Sequence, residues 1–254
     1  MKSTEHPSSA RSGQPGDDRL ALRERLYRDY ASHHAGRDHA ESVGLVYRCQ
    51  VRPALPPIPA GPIIDIGCGQ GELVRLMLAD GYDAEGIDVS PEQVAIARAG
   101  GVRRVREADY REVLLARPGH YAAITATDLL EHLSKPEVLD TFDAVVAGLA
   151  PRGAFIARVP NAASPLSGHI RYGDFTHETS FTAGSVRQLA AAAGFSSVAV
   201  LPCNPLPHGV LSAARLAVWA TVSGCYRLAL AAETGTFHGH VVTQNLMFVA
   251  RKQG

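Results

Sequence analysis

Apolar residues along this chain fall into two alternating patterns, short runs and stretches that repeat every three to four positions. Ile63-Ile64-Asp65-Ile66 is an apolar run broken by one acid, the pattern of a buried strand. Leu73, Val74, Leu76 and Met77 follow on a helical period, and a second strand-like run, Tyr82 to Val89, leads into a helical stretch through Val94 and Ala97. Extended along the chain, the pattern predicts strands near 62–66, 84–88, 103–106, 121–126, 154–159, 196–202 and 244–251. Helices are predicted near 71–79, 91–99, 111–116, 136–149 and 183–193. Strands and helices that alternate with short links predict an α/β fold, a mostly parallel sheet with helices on both faces.

Three regions depart from this rhythm. Residues 1–18 are polar and rich in Ser, Pro and Gly, which predicts a disordered tail and not a signal peptide. Residues 19–254 read as one domain, with 19–59 as a helical lid and proline-stiffened linker and 203–243 as a helical insertion before the last strand. Within that insertion, Val210 to Leu230 is apolar enough to reach transmembrane length in principle. Arg215, Arg227 and many alanines make a buried or lid helix the first expectation, with a peripheral membrane contact through 210–230 as the alternative.

Composition narrows the classes. The 254 residues carry 25 basic and 25 acidic side chains, so no overall field calls for nucleic acid as a partner. Cys49, Cys68, Cys203 and Cys225 are scattered with no C-x-x-C pair, which argues against a zinc site or a disulfide framework. The expected compartment is the cytoplasm.

The chemistry is concentrated where the first strand ends. Gly67, Gly69 and Gly71 alternate between strand and helix, and glycines there bring bare backbone against a ligand. The spacing is G-x-G-x-G, unlike the G-x-G-x-x-G that sets a helix N-terminus on a pyrophosphate, and Asp65 lies two residues before the first glycine. Asp88 ends the second strand 21 residues after Gly67, close to the offset at which an acid accepts from ribose hydroxyls, and Ser90-Pro91 suits a helix start. Together these residues resemble motif I and the following G-x-D-x-S-x-x-x-[IV]-x-x-A segment of the class I S-adenosylmethionine (SAM)-dependent methyltransferases. Leu149-Ala150-Pro151-Arg152-Gly153 is similar to that family's L-x-P-G-G turn, with Arg152 in place of the first glycine.

The resemblance implies a Rossmann-like sheet of seven strands with the last antiparallel, and SAM as cofactor. It also implies a cofactor site made of Asp65, Gly67, Cys68, Gly69, Gly71, Asp88, Val89, Asp109, Tyr110 and Thr127. Asp109 is expected at the adenine amino group and Tyr110 on the ring, although Asp109 also suits a helix N-cap. Leu130-Glu131-His132 is similar to the L-E-H of small-molecule methyltransferases, and His132 is a candidate base for a hydroxyl proton. The alternative is a structural Glu131–His132 pair. Asp128-x-x-Glu131-His132 also resembles an E-x-x-E-H metal set with Asp for the first Glu, but no metal is assigned on these three residues.

A second dense stretch is Gly168 to Thr182, whose D-x-T-H-x-x-x-F-T pattern (Asp174, Thr176, His177, Phe181, Thr182) resembles methyltransferases of bacterial glycans and related metabolites. His177 is the second candidate catalytic residue, in acceptor binding or proton transfer. Tyr27, Tyr30, Ser32 and His33 resemble an entry helix that closes over the cofactor, and His238 with His240 reads as a solvated pair. The expected reaction is methyl transfer from SAM to a hydroxyl of a small molecule, sugar or glycan, with a lipid-linked or quinone acceptor as an alternative. The absence of an N-P-P-[YF] motif favours oxygen over nitrogen. Two other classes are a non-catalytic SAM-fold binding module and an NAD-dependent oxidoreductase.

Overall fold

Seven strands form one sheet in the order β3-β2-β1-β4-β5-β7-β6 in a computed structural model that describes residues 39–236 and 239–254. They are β1 (Ile63–Ile66), β2 (Ala84–Asp88), β3 (Val105–Glu107), β4 (Tyr121–Thr127), β5 (Leu149–Pro160), β6 (Ser197–Pro202) and β7 (Asn245–Arg251). β1 to β5 pair in parallel, and β7 runs antiparallel between β5 and β6. The helices are α1 (His39–Val46), α2 (Glu72–Ala79), α3 (Pro91–Ala99), α4 (Tyr110–Ala116), α5 (Lys135–Gly148), α6 (Ser167–Arg171), α7 (Ala183–Ala192) and α8 (Val210–Thr234). These residues fall within a unit spanning Asp38–Gly254. The expectations for residues 1–38 and for His238 lie outside the described residues.

The strands sort their side chains by parity onto two cores. Ile64, Ile66, Ile124, Phe155 and Phe248 face α4, α5 and α7, while Ile63, Ala123, Ile156 and Met247 face α2, α3 and the turn after α1. Both faces of β1 are therefore dry, which is why all four of its positions are buried and why its sequence does not alternate. Phe142, Phe155 and Phe248 meet with centroids 5.4 to 5.9 Å apart, two contacts edge-on and one stacked. Local chemistry sets the helix starts: the Ser90 side chain accepts from Gln93 N–H ahead of Pro91, and Ser134 with Glu137 forms a reciprocal cap on α5.

Three features differ from the sequence expectations. β5 starts at Leu149 and takes in the Pro151-Arg152-Gly153 turn as an irregularity in its register with β4. There Arg152 holds φ +63°, the left-handed backbone that a glycine tolerates better, and a Cβ on Gly153 would lie 2.8 Å from the Ala150 carbonyl. The segment after β5 contains the short helix α6, which its mixed polar and aromatic residues did not signal. The insertion helix α8 is not buried: only Ser212, Ser223 and Ala231 are enclosed, while Val210, Leu211, Val218 and Leu228 are exposed. Its apolar residues are spread around the helix among Arg215, Arg227 and many alanines, so no single stripe is available to bury. Among the described residues, no helix is long and apolar enough to cross a membrane.

Candidate active site

The loop after β1 turns through three left-handed glycines, Gly67, Gly69 and Gly71, with φ of +67°, +51° and +72°. Their reasons for being glycine differ. A Cβ on Gly67 would stand 2.9 Å from Leu129 Cδ1, and one on Gly71 would stand 3.2 Å from methyl carbons of Val102 and Val105. Around Gly69 a Cβ would meet nothing within 4 Å among the described residues. The outer glycines are thus required by packing, and the middle one borders open space. Gly86, which opens the G-x-D-x-S segment, is a fourth packing glycine, since a Cβ there would lie 2.8 Å from Cys68 Sγ and Val74 Cγ2.

Asp88 closes this loop. Its Oδ2 accepts from Gly69 N–H at 2.8 Å and its Oδ1 accepts from Ser90 N–H at 2.8 Å. Burial pushes its carboxyl above the usual range, and the backbone amides of Ser90, Gly69 and Val89 offset part of that. Each carboxylate oxygen keeps a further acceptor position. Val89 beside it is 64% exposed, an apolar side chain at the mouth of the loop. Cys68 is buried behind the loop, with its thiol pushed up by burial and no role as a nucleophile suggested.

Asp65 lies beneath, fully enclosed, and accepts from the Thr125 hydroxyl at 2.6 Å. Burial, opposed by that bond and reinforced by Asp88, moves its carboxyl up to about 7. The folded chain thus binds the Asp65 proton more tightly than the unfolded chain does. The stabilisation is complete at low pH and disappears as pH rises through about 7. The ligand-free protein should lose roughly 3 kcal/mol of folding stability from this group between about pH 5 and 8. Urea unfolding of wild type and Asp65→Asn at both pH values tests this, and equal pH slopes for the two proteins would exclude Asp65 as the source.

On the far side, Asp109 caps α4 by accepting from Arg111 N–H at 2.8 Å, and it also accepts from the Arg111 guanidinium at 2.8 Å. The Arg111 contact holds this carboxyl below its usual range. Tyr110 is buried, with its hydroxyl 2.8 Å from Thr141 Oγ1 on α5. Thr127 ends β4 in register with Arg158 on β5.

The second cluster forms where β4 ends. Leu130, Glu131 and His132 make one buried 3₁₀ turn, and the Glu131 carbonyl accepts from Glu178 N–H (2.7 Å) and Thr179 N–H (3.0 Å). Arg171 donates to the His177 and Glu178 carbonyls, so the loop from Asp174 to Thr179 is held against the turn. The Thr176 hydroxyl donates to Asp174 Oδ1 at 2.6 Å, and its oxygen lies 2.8 Å from His132 Nδ1. Because the hydroxyl's one proton goes to the carboxylate, His132 Nδ1 must carry its own proton and donate. The same logic applies to His177, whose Nδ1 faces the Ile170 carbonyl at 3.0 Å. Both imidazoles thus donate through Nδ1, and in His132 the basic nitrogen is Nε2.

The two rings meet edge-on at 4.8 Å between centroids. Burial, with His177 adding to it, lowers His132 to about 4, so the ring is neutral at physiological pH. Glu131 contributes a buried oxygen, Oε2, with no hydrogen-bond partner among the described residues, and burial pushes its carboxyl well above the usual range. One ligand atom each from Glu131, His132 and His177 lies within 4.8 Å of the others. Asp128 does not join them. It stands at φ +54° with its carboxylate bound by Arg158 Nε (3.0 Å) and Nη2 (2.7 Å). The structure therefore replaces the Asp128-Glu131-His132 grouping with Glu131, His132 and His177. The sequence reading missed Asp174 and Thr176 as positioning residues, although both lie in the D-x-T-H stretch next to His177.

A family model for the methyltransferase domain matches residues 45–200. The chain belongs to this family. Its sheet order and antiparallel last strand are those of the class I SAM-dependent methyltransferases, for which SAM is the cofactor. Among solved structures, the methyltransferase is similar to a SAM-dependent methyltransferase of Archaeoglobus fulgidus, at TM-score 0.65 and 18% identity over 92% of this chain and 99% of that one. It is also similar to the 1,6-didemethyltoxoflavin-N1-methyltransferase of Burkholderia thailandensis, solved with S-adenosylhomocysteine, at TM-score 0.58 and 16% identity over 98% and 94% of the chains. In sequence it is 30% identical over 109 residues to a ubiquinone biosynthesis O-methyltransferase of Xanthomonas campestris, covering 41% of this methyltransferase and 45% of the relative. The chain thus spans less than half the length of that relative.

Proposed function

We propose that this methyltransferase moves the methyl group of SAM to a hydroxyl oxygen of a small molecule, sugar or glycan. The observation that carries the reading is the tethered His132 ring. Asp174 and Thr176 fix its proton on Nδ1 and leave a lone pair on Nε2. The ring sits on the turn that follows β4, at the carboxyl edge of the sheet where open α/β folds bind ligands. The relatives named as O-methyltransferases support oxygen as the acceptor atom.

In this reading Asp88 accepts from the ribose hydroxyls, and the Gly67-Cys68-Gly69 backbone and Gly71 shape the wall against the ribose and methionine tail. Val89 and Tyr110 flank the adenine, Asp109 accepts from its amino group, and Asp65 and Thr127 support the strand ends. With SAM bound, its methyl carbon would bond to the acceptor oxygen as the carbon–sulfur bond breaks, giving S-adenosylhomocysteine as a neutral thioether, and His132 Nε2 would take up the hydroxyl proton. Alignment of oxygen, carbon and sulfur supplies most of the acceleration. His177, packed on His132, lines the acceptor side.

A second reading is favoured by the convergence of Glu131, His132 and His177. Two imidazoles with tethered Nδ1–H groups and a carboxylate oxygen without a partner form a donor set suited to a divalent transition ion. Such an ion would acidify a bound acceptor hydroxyl. Calorimetry with SAM, followed by transfer of labelled methyl to phenols, catechols, glycosides, nucleotide sugars and quinols, tests the main reading. Transfer to oxygen is expected. Micromolar SAM binding with label found only on nitrogen or sulfur acceptors would refute the oxygen assignment, and no binding at millimolar SAM would favour a non-catalytic module.

A further inference from the structure

A cleft of about 220 Å³ opens between the turn after α1, Arg158 on β5, the link after β6, the first turns of α8 and the start of β7. Its polar lining is unusual. Gln50, Arg158, His208, Arg215 and Asn245 all line it, and among the described residues no carboxylate does. Arg158 is already matched by Asp128 through Nε and Nη2. Arg215 makes no ion pair among the described residues, so its charge is the uncompensated one. Gln50 Oε1 and Asn245 Oδ1 are buried with no hydrogen-bond partner among the described residues. Buried amide groups are normally satisfied, so two unmatched acceptors on residues that line one cleft are what a ligand with hydroxyl donors would use.

The cleft also has a defined place relative to the chemistry. Arg158 is the register partner of Thr127 at the carboxyl ends of β5 and β4, and its ion-pair partner Asp128 is three residues from Glu131. The Arg158–Asp128 pair thus links the cleft to the segment that leads into the turn presenting His132.

We infer that this cleft is the subsite for an anionic, hydroxylated acceptor, with a carboxylate or phosphate on Arg215 and the free edge of Arg158 and with hydroxyls on Gln50 and Asn245. The word acceptor rests on the proposed function, whereas the anion site stands on the cleft alone. Guanidinium groups suit both anions through paired N–H donors. Apolar side chains of α1 form one wall, which fits a compact carbon skeleton beside the charged group.

Matched probes test the inference on full-length protein loaded with S-adenosylhomocysteine. Calorimetry compares D-glucuronate and D-glucose 6-phosphate with D-glucose, protocatechuate with catechol, and includes inorganic pyrophosphate as the minimal anion. At least one anionic probe should bind about tenfold or more tightly than its neutral partner, with the advantage shrinking as salt rises. The glucuronate and glucose 6-phosphate arms separate a carboxylate from a phosphate ligand. Arg215→Gln, an exposed position that the fold does not need, should erase the anion preference and leave S-adenosylhomocysteine affinity unchanged. Gln50→Leu should weaken the sugar probes more than pyrophosphate. Equal binding of charged and neutral partners, an anion preference that survives Arg215→Gln, or no anionic probe binding up to about 10 mM would each overturn the inference. Cofactor binding without anion preference defeats this subsite alone. Anion binding without cofactor affinity defeats the methyltransferase reading and leaves the anion site standing.

Discussion

Gly69→Asn should fold with near-native stability and lose SAM affinity by about 100-fold, the ~3 kcal/mol expected when a side chain is forced into a filled site. The motive is the contrast within the loop: a Cβ on Gly69 meets nothing, whereas Cβ atoms on Gly67 and Gly71 meet Leu129, Val102 and Val105. Asn is chosen because it enters the left-handed region more readily than most residues, which keeps the backbone at its φ of +51°. Gly71→Asn should lower the unfolding temperature instead, through its collision with the core. Asp88→Ala should be at least as severe for SAM as Gly69→Asn, because it removes the ribose acceptor and also releases the Gly69 and Ser90 amides. The charged bonds alone account for roughly 1.5–3 kcal/mol each. Asp83→Ala, which breaks only an exposed pair with Arg104, is the control. Calorimetry and thermal unfolding on the same samples decide the matter. Unchanged SAM affinity in Gly69→Asn would remove the cofactor from this loop.

His132→Ala should lower turnover of an accepted hydroxyl substrate by roughly 10²–10⁴-fold with SAM affinity near wild type. His177→Ala should mainly raise the acceptor KM, although the contact between the two rings makes some loss of kcat unavoidable. Thr176→Val keeps the His132 ring but removes its Nδ1 partner, so kcat should drop by about tenfold and recover in Thr176→Ser. Glu131→Gln separates base from cation. With a base alone it should leave turnover within a few-fold of wild type. With a bound divalent ion it should be as damaging as His132→Ala, chelation should abolish activity, and elemental analysis should find metal in wild type but not in the variant. Turnover retained in His132→Ala and lost in His177→Ala would move the base to the loop.

The residues that could be read from the linear chain are those whose chemistry is local. The G-x-G-x-G turn, the acid at Asp88 and the Ser90-Pro91 helix start act over a few neighbours, and strand–helix alternation carries its own periodicity, so the α/β layering, the cofactor loop and six of seven strand positions were legible to within two residues. β5 was misplaced by five residues because its Leu149 start is held by pairing with Tyr121 across a bulge, a partner that no local pattern reveals. Partner choice over long separations is what the folded chain added. Asp128 looked like a ligand beside Glu131 and His132, yet Arg158 on the next strand takes its carboxylate. His177 lies 45 residues from His132 and reaches it only because Glu178 and Thr179 donate to the Glu131 carbonyl. Thr176 reads as an ordinary hydroxyl until Asp174 accepts its hydrogen bond, and the tautomer of His132 follows from that geometry. A buried polar group must find a partner wherever the fold offers one, so the loop for the cofactor was legible in the residues, and the choice of base, ligands and acceptor cleft was made by packing.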